Sequence, residues 1–549
     1  MRRSIERPAT DRRHAASVRL GALLVCVLFA AAPASQAVGA AQAVGPPPRT
    51  PDTTPGVCDQ YAGDPAFGTN DWTARDVNNV SCSYQRHVDS HTSPAFLAKK
   101  EQQDALEAAE FATVTAPAWA AEPTRIHANC CTSPSSKVGD PFRTPEEWAD
   151  QGRGRHLKFP FINKNGAKLV ARLYAPRAGG KHPALTFTPG LQSYNEVNAW
   201  FAEGFAEAGY VVLIIDPQGQ GDSENCGHAP DGTVTTCPST DQPDDTRSAI
   251  DFLLSSPRSR YPWAKGTNAA GTPDFNPWWA EVDARHIGIA GHSLGAIAVT
   301  PIGQEDRRVS AIVSYDNLDA SLPEKGPRRT PTLFFGTDYA FPATGSPKTA
   351  QPDPNQHLVG AFDQLKAAGV DAMSVTTRAS DHYDFGYQPF PADLPSSRLG
   401  ERIDLYYSLA WFDHYLRGKA SALPRLAATM FDSSADVSSI GAGTYDASKA
   451  AANPADPFAG NVPYRLKGRC IADQLSFYFT SRVAVRGLNA PDLRARGCSL
   501  PASRRPSTGV PTPPTGQPAL PVTGGLAVMM LVGGTLLVAG TGAWRRRAA

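Results

Sequence analysis

The middle of the chain alternates short apolar runs with longer segments whose apolar residues recur at helical spacing. Runs such as Tyr210–Ile215 are almost wholly apolar, which is typical of strands buried on both faces of a parallel sheet. Segments such as Asn195–Ala208 and Arg398–Arg417 repeat apolar residues every three or four positions, which predicts amphipathic helices. This alternation predicts an α/β fold whose mostly parallel sheet carries helices on both faces. The other predicted strands are His156–Ile162, Lys168–Tyr174, Ala184–Thr188, His286–Ala290, Val309–Ser314, Thr332–Phe335 and Ala372–Arg378, and the other predicted helices are Leu97–Phe111, Asp244–Ser255 and Gln356–Ala368.

The apolar run Leu20–Ala32 follows several arginines and precedes small residues around Ala37 and Ala43. A basic start, a short apolar run and an A-x-A-like site are the features of a cleaved export signal. The run is shorter than the ~20 apolar residues that a membrane-spanning helix needs. We therefore expect residues 1–43 to be a signal peptide that directs export.

The segment Leu520–Gly524 reads LPVTG and precedes an apolar stretch, residues 526–543, and three arginines. It resembles the cell-wall sorting signal of Gram-positive surface proteins, which a sortase cuts between the threonine and the glycine, here Thr523 and Gly524. The resemblance implies that residues 520–549 form a sorting signal with a transmembrane segment and a basic tail. Sortase and peptidoglycan would then be partners. A plain membrane anchor with its arginines inside is the alternative, and it also places the protein outside the cell.

Charge and cysteine content narrow the class of protein. The 53 basic residues nearly balance the 52 acidic ones, which leaves no basic surplus for binding nucleic acid. One of the nine cysteines, Cys26, lies in the predicted signal, and an even set of eight is typical of disulfides in an exported protein. Zinc is disfavoured because no pair of C-x-x-C units occurs. Pairing by proximity in sequence predicts Cys58 with Cys82, Cys226 with Cys237 and Cys470 with Cys498.

Composition divides the rest of the chain into consecutive parts. Residues 44–57 are rich in Pro and Thr, and residues 501–519 in Pro, Thr and Gly, which favours extended segments without a core. We expect residues 501–519 to be a wall spacer. We also expect a disulfide-bearing N-terminal extension over residues 44–140, a catalytic domain over 141–420, and a C-terminal extension packed on it over 421–500.

The run Gly291–Gly295 reads G-H-S-L-G and lies between a predicted strand and a segment of small residues, Leu294–Val299. In a G-x-S-x-G turn of this kind the serine occupies a strained strand-to-helix turn, where only small neighbours fit. The turn raises the hydroxyl above the sheet edge, and the helix N-terminus favours negative charge nearby. We therefore predict Ser293 as a nucleophile.

A serine hydroxyl needs a base that a third group holds in place. His382 follows a predicted strand and is the candidate base. Asp338 ends the strand that begins at Thr332, so it is the candidate acid, and the chain order Ser–acid–His is that of α/β hydrolases. Asp316, after the preceding strand, is the alternative acid.

An oxyanion hole needs two backbone N–H groups that point at the developing charge. We predict one from Leu294, directly after the nucleophile. We predict the second from Leu191, in the loop that follows the strand Ala184–Thr188. Because both donors are backbone groups, the Pro189-Gly190 pair at this turn does not remove either of them.

Together, the motifs between residues 145 and 420 resemble those of the α/β-hydrolase superfamily, in the style of dienelactone-hydrolase-like and bacterial esterase or lipase-type enzymes. The stretches that carry the resemblance are Thr188–Leu191, Asp216–Ser223, Gly291–Gly295, Asp338 and His382. The resemblance implies a structural role for the Asp216 turn. It also implies hydrolysis of carboxylic esters with no metal or organic cofactor.

Two long connections exceed the usual length for such folds, residues 222–244 and 257–279. The second contains Tyr261, Trp263 and Trp279, and aromatic loops of this kind either shape an apolar acyl pocket or pack elsewhere, for example on the N-terminal segment. We expect an ester substrate with an apolar acyl group. A peptidase or amidase on the same fold and a non-catalytic wall-displayed binding protein are the alternatives.

Overall fold

The computed structural model describes residues 74–83 except 76, residues 94–110 and 112–113, and most of residues 139–497. Within the last range the residues left out are 192, 236–241, 266–269, 318–321, 324, 340–357, 388–397, 437–443, 446, 453–460 and 463–465. The predicted signal peptide, wall spacer and sorting signal lie outside the described residues. Among the helices described, none combines the length and apolar character needed to cross a membrane.

Ten strands form one mixed sheet in the order β1-β2-β4-β3-β5-β6-β7-β8-β11-β12. From β4 through β8 neighbouring strands are parallel, whereas the pairs at both ends of the sheet are antiparallel. The predicted strands His156–Ile162 and Lys168–Tyr174 are confirmed as the antiparallel neighbours β1 and β2. The strands are β1 Gly154–Ile162, β2 Lys168–Pro176, β3 His182–Thr188, β4 Val211–Ile215, β5 Val282–His292, β6 Val309–Tyr315, β7 Thr332–Tyr339, β8 Ala372–Asp381, β11 Arg482–Val485 and β12 Leu488–Ala490, with β9 Thr444–Tyr445 and β10 Asn461–Val462 in a separate pair.

Helices cover both faces of the sheet. On one face α3 and α7 bury a large aromatic cluster that includes Trp200, Phe205 and Trp411. On the other face α4 and α5 pack aliphatic side chains such as Ile250 and Ile302 against the central strands. The helices are α1 Pro94–Glu110, α2 Pro145–Asp150, α3 Ala199–Glu207, α4 Gln242–Leu253, α5 Leu294–Glu305, α6 Leu358–Ala367, α7 Arg398–Arg417 and α8 Ala447–Ala452.

The segment after α7 continues the sheet. Its strand β11 pairs with β8 and with β12, so residues well beyond 420 add two strands next to the one that ends at Asp381. An isolated bridge between Thr377 and Leu475 joins the same strand to a second point of this segment. Because parallel strands present their carboxyl ends at one edge, β3, β5, β6, β7 and β8 all deliver their following residues to the same rim.

Tyr261, in the aromatic loop over residues 257–279, lies in the core beside β1. Tyr261 packs on Phe161 and Phe252, and its hydroxyl donates a hydrogen bond to the Ile162 carbonyl at the end of β1. Three strands separate β1 from β5 in the sheet order. Tyr261 therefore completes the core at the sheet edge, whereas Trp263 and Trp279 are exposed.

Three of the described cysteines, Cys82, Cys226 and Cys470, are bonded in disulfides. The partners that the spacing predicts for them, Cys58, Cys237 and Cys498, lie outside the described residues. The three pairings therefore stay predictions.

Candidate active site

Ser293 occupies the strained turn between β5 and α5 that its motif predicts. Its backbone has φ 54° and ψ −120°, a conformation that costs a non-glycine residue on the order of 1–3 kcal/mol. The Ser293 amide donates to the Tyr315 carbonyl of β6 at 3.0 Å, and the Ser293 carbonyl accepts from the Ile297 amide at 3.0 Å. These bonds to a strand and to a helix hold the turn in place.

The two glycines of the motif are required by close backbone contacts. A Cβ atom at Gly295 would lie 2.0 Å from the Thr188 carbonyl oxygen, and one at Gly291 would lie 2.6 Å from the Gly295 carbonyl. No side chain fits at such distances without moving backbone. Glycine is therefore needed at both positions for the end of β5 to pack against α5 and β3.

His382 follows β8 and bridges the serine to a carboxylate. Its Nε2 atom lies 2.9 Å from the Ser293 hydroxyl, and its Nδ1 atom lies 2.5 Å from Oδ2 of Asp316. A carboxylate only accepts hydrogen bonds, so Nδ1 carries the proton and Nε2 is free to accept the serine proton. The predicted contact between Ser293 and His382 is present.

The structure corrects the choice of acid, because the carboxylate beside His382 belongs to Asp316 and not to Asp338. β6 and β7 are adjacent parallel strands, so both aspartates reach the same rim and the sequence alone does not separate them. Asp316 leaves β6 with φ 44° and points its carboxylate at the imidazole. Asp338 is buried near the end of β7 and accepts hydrogen bonds from the Ala379 amide and from the Asn79 side chain.

The predicted oxyanion loop lies directly against the nucleophile. A Cβ atom at Gly190 would be 2.9 Å from Cβ of Ser293, so the backbone that leads to Leu191 passes beside the serine. Leu294 is the first residue of α5, where a backbone N–H has no acceptor within the helix. Gln242 donates weakly to the Gly190 carbonyl at 3.4 Å and fixes the loop from the other side.

The Asp216 turn holds the next part of this loop, as the resemblance implies. One carboxylate oxygen of Asp216 accepts from both the backbone and the side chain of Asn195 at 2.7 Å. The other oxygen accepts from the Asp222 amide at 3.0 Å. Burial raises the pKa of this carboxyl to about 7, opposed by those amide donors. Asp216 therefore anchors the segment that follows the predicted oxyanion loop.

His292 contributes to the site in a way that the motif does not reveal. Its Nε2 atom donates to the backbone carbonyl of His382 at 2.9 Å, and the two rings lie 4.7 Å apart. Burial, together with the neighbouring His382, holds the pKa of His292 well below its usual range. His292 is therefore neutral and adds no positive charge beside the base. The position before the serine is formally variable in G-x-S-x-G, so the motif carries no signal for this role.

Asp381, directly before the predicted base, has a structural contact. Asp381 accepts a hydrogen bond from the Tyr383 amide at 2.9 Å and caps the short helix His382–Phe385. The Phe385 carbonyl at its end accepts from Asn198 and from the Trp200 indole. These bonds tie the histidine segment to α3. Within the described residues, no group of three His, Cys, Asp or Glu side chains is arranged to hold a metal ion.

Comparison with known proteins gives weak and partial similarity. No protein-family model matches the chain. The chain is 27% identical over 225 residues to "Uncharacterized protein PA2218" of Pseudomonas aeruginosa, covering 37% of this chain and 51% of that protein. It is 37% identical over 76 residues to "Thiohydrolase aneE" of Aspergillus aculeatus, covering 14% of this chain and 23% of that protein. The chain thus spans about half or less of the length of these relatives.

One solved structure that the chain matches is a ferulic acid esterase from Streptomyces cinnamoneus. The TM-score is 0.33 and the identity is 19%, with 49% of this chain and 91% of that chain covered.

Proposed function

We propose that this protein is a serine hydrolase of the α/β-hydrolase type that cleaves carboxylic esters through an acyl-Ser293 intermediate. The observation that carries the proposal is the unbroken line of hydrogen bonds from Ser293 through His382 to Asp316. The positive φ of Ser293 adds support, because strain of this kind is stored where a nucleophile must be held exposed to its substrate.

In the acylation step, the Ser293 oxygen attacks the ester carbonyl carbon while its proton passes to Nε2 of His382. Asp316 accepts the hydrogen bond from the Nδ1–H of His382 throughout and stabilises the imidazolium that forms. The negative charge on the carbonyl oxygen falls beside the backbone N–H groups of Leu294 and Leu191. When the tetrahedral intermediate collapses, the bond to the alkoxy oxygen breaks and that oxygen takes the proton from His382.

In the deacylation step, the same imidazole removes a proton from water. The resulting hydroxide attacks the acyl carbon, and the Ser293 oxygen leaves with the proton that His382 returns. The products are a carboxylic acid, an alcohol and the original enzyme. The Ser293 hydroxyl, the His382 imidazole, water and the alkoxy oxygen of the substrate exchange the protons in these two steps.

The direct test is active-site labelling. The full chain should react covalently with a fluorophosphonate probe, and Ser293→Ala should abolish the labelling. A matched control is Ser310→Ala, which replaces a serine in β6 away from the turn and should label like the parent protein. Undiminished labelling of Ser293→Ala would refute the assignment of the nucleophile.

The type of bond that is cleaved is tested by comparing three leaving groups on one acyl chain. We expect p-nitrophenyl esters to be cleaved faster than the corresponding thioester and anilide. A faster thioester reaction would align this protein with its thiohydrolase-named relative, and a faster anilide reaction would favour the peptidase alternative. No turnover of any of the three, with no probe labelling, would favour a non-catalytic binding protein.

We also propose that the enzyme works outside the cell, exported by residues 1–43 and attached to peptidoglycan after sortase cleavage between Thr523 and Gly524. The supporting observations are the order of the sequence features at both ends and the disulfide-bonded state of Cys82, Cys226 and Cys470. In a sortase-bearing Gram-positive host, Thr523→Ala should move the protein from the wall fraction to the membrane or the medium. Unchanged release by a peptidoglycan hydrolase would contradict the proposed cleavage.

A further inference from the structure

Asp338 is a buried carboxylate at the end of β7 that the proposed mechanism leaves without a role. Its Oδ2 atom accepts hydrogen bonds from the Ala379 amide at 2.7 Å and from the Asn79 side-chain amide at 2.8 Å. The Ser476 hydroxyl faces the same carboxylate and, with the two amides, favours its charged form. Burial acts in the opposite direction and raises the pKa of Asp338 overall.

Ala379 is the point where β8 departs from regular geometry on its way to His382. It has φ 59°, a left-handed conformation that is costly for a residue with a Cβ atom. The pairing of β7 with β8 changes register here, because Thr337 opposes Thr377 but Tyr339 opposes Asp381. Two extra residues of β8 therefore bulge out just before the catalytic base, and the bulge decides where His382 emerges.

The N-terminal extension contacts this bulge through two asparagines. Besides reaching Asp338, the Asn79 amide donates to the Tyr339 hydroxyl at 2.9 Å. Oδ1 of Asn79 accepts from Arg378 Nε at 3.0 Å, and Oδ1 of Asn78 accepts from another Arg378 nitrogen at 2.6 Å. All of these side chains except Tyr339 are polar, and all are fully or almost fully buried. The extension thus holds both the residue before Ala379 and the carboxylate that binds Ala379.

The C-terminal extension contacts the same strand from the other side. The Ser476 amide donates to the Thr376 carbonyl at 2.8 Å, and the Thr376 amide donates to the Ser481 hydroxyl at 2.9 Å. Both extensions therefore meet at residues 376–379, three to six positions before the proposed base.

We propose that Asp338 is a positioning residue which, together with Asn79, fixes the Ala379 bulge so that His382 reaches both Ser293 and Asp316. On this view residues 77–83 are part of the catalytic unit and not a separable leader to it. The inference rests on the proposed function for its kinetic consequence, but its structural consequence can be measured without any substrate.

The decisive experiment is a double-mutant cycle on the full chain. Asn79→Asp alone places two carboxylates together, and Asp338→Asn alone places an amide NH₂ against other donors. We expect each to lower kcat by about 100-fold with KM nearly unchanged, because displacing a catalytic group by about 1 Å has an effect of that size. The combined variant restores one donor and one acceptor, and its new carboxylate faces Arg378. We expect the kcat of the combined variant to be at least tenfold higher than that of either single variant.

Two controls and one spectroscopic measurement separate positioning from general damage. Asn276→Ala removes a buried asparagine that donates to the Leu253 carbonyl at 2.8 Å in the remote 257–279 loop, and it should lower the melting temperature without changing kcat. Asp316→Asn should abolish the downfield proton NMR signal of the His382 Nδ1–H, which identifies that signal. In folded Asn79→Asp and Asp338→Asn the same signal should shift or broaden, and in the combined variant it should return.

If the downfield signal and kcat are unchanged in both folded single variants, the positioning role is refuted. If the combined variant is no better than the singles in kcat and in the signal, the Asp338–Asn79 pair does not act as a unit and the proposal falls. If the NMR cycle behaves as expected while the parent protein neither labels with a fluorophosphonate nor cleaves esters, the positioning role stands and the proposed function fails.

Discussion

The Nδ1 atom of His382 lies 2.5 Å from a carboxylate oxygen of Asp316, which is 66 residues earlier in the chain. Asp316 follows β6, whereas the sequence favours Asp338 on the adjacent strand β7. This contact fixes the tautomer of the imidazole and leaves Nε2 facing Ser293. It places the acid after β6, whereas Asp338, near the end of β7, is engaged with the N-terminal extension. The chemistry of the site therefore depends on which of two adjacent strand ends turns toward the histidine.

Replacing Asp316 with asparagine should reduce kcat for ester hydrolysis by on the order of 10³- to 10⁴-fold. An amide NH₂ in that place pushes the histidine into the tautomer that cannot accept the serine proton, an effect known from the aspartate of serine proteases. Steady-state kinetics with a p-nitrophenyl ester measure it. Asp338 acts on His382 only through the Ala379 bulge, so Asp338→Asn should lose less activity than Asp316→Asn. The opposite order would return the acid role to Asp338.

Replacing His292 with leucine should lower kcat about tenfold, because the carbonyl of His382 loses its buried donor, a loss worth about 1.4 kcal/mol. His292→Gln retains an N–H donor of similar reach and should recover part of the loss. Both variants lack the imidazole ring, so the ratio of kcat for His292→Gln to kcat for His292→Leu measures the contribution of the hydrogen bond. Equal activity of both variants and the parent protein would show that His292 does not position the base.

Replacing Gly190 with alanine should abolish most activity while the protein stays folded. The added Cβ atom would lie 2.9 Å from Cβ of Ser293, so the oxyanion loop must move away from the nucleophile. Loss of one oxyanion donor typically costs 10²- to 10³-fold in kcat. Circular dichroism and kcat together check the prediction. Gly179→Ala is the matched control, because a Cβ atom at Gly179 meets nothing within 4 Å.

The fully buried Glu203 should make folding stability fall as pH rises. Burial raises its pKa to about 8, opposed by Arg143, which lies 3.4 Å away, and by Arg153, and reinforced by Asp140 and Glu207. Between the ordinary pKa of 4.5 and about 8, only the folded state holds the proton. The stabilisation is therefore complete below pH 4.5 and is lost as pH rises through 8.

The measurement is the free energy of unfolding in urea at pH 5 and at pH 8 for the parent protein and for Glu203→Gln. The glutamine has no proton to lose, so its stability should decline less between these two values, by a difference of a few kcal/mol. Identical pH slopes for the two proteins would show that Glu203 ionises normally in the folded state.

The pattern of residues along the chain was enough to predict the central sheet and its helices. Strands buried on both faces need almost continuous apolar runs, and Tyr210–Ile215 meets that need through local composition alone. Ser293 was predictable for a related reason. A Cβ atom at either flanking glycine would lie only 2.0 or 2.6 Å from nearby backbone, so the fold requires glycine at a fixed spacing on both sides of the serine.

Only the tertiary structure decided which carboxylate meets His382 and what the extensions contact. Asp316 and Asp338 are chemically identical and end adjacent parallel strands, so local sequence contains nothing that distinguishes them. The difference arises from backbone turns at Asp316 and Ala379 and from Asn79, which is 259 residues from Asp338 in the chain. Long-range hydrogen bonds of this kind have no periodicity in sequence, because they depend on where the folded chain brings two distant groups together.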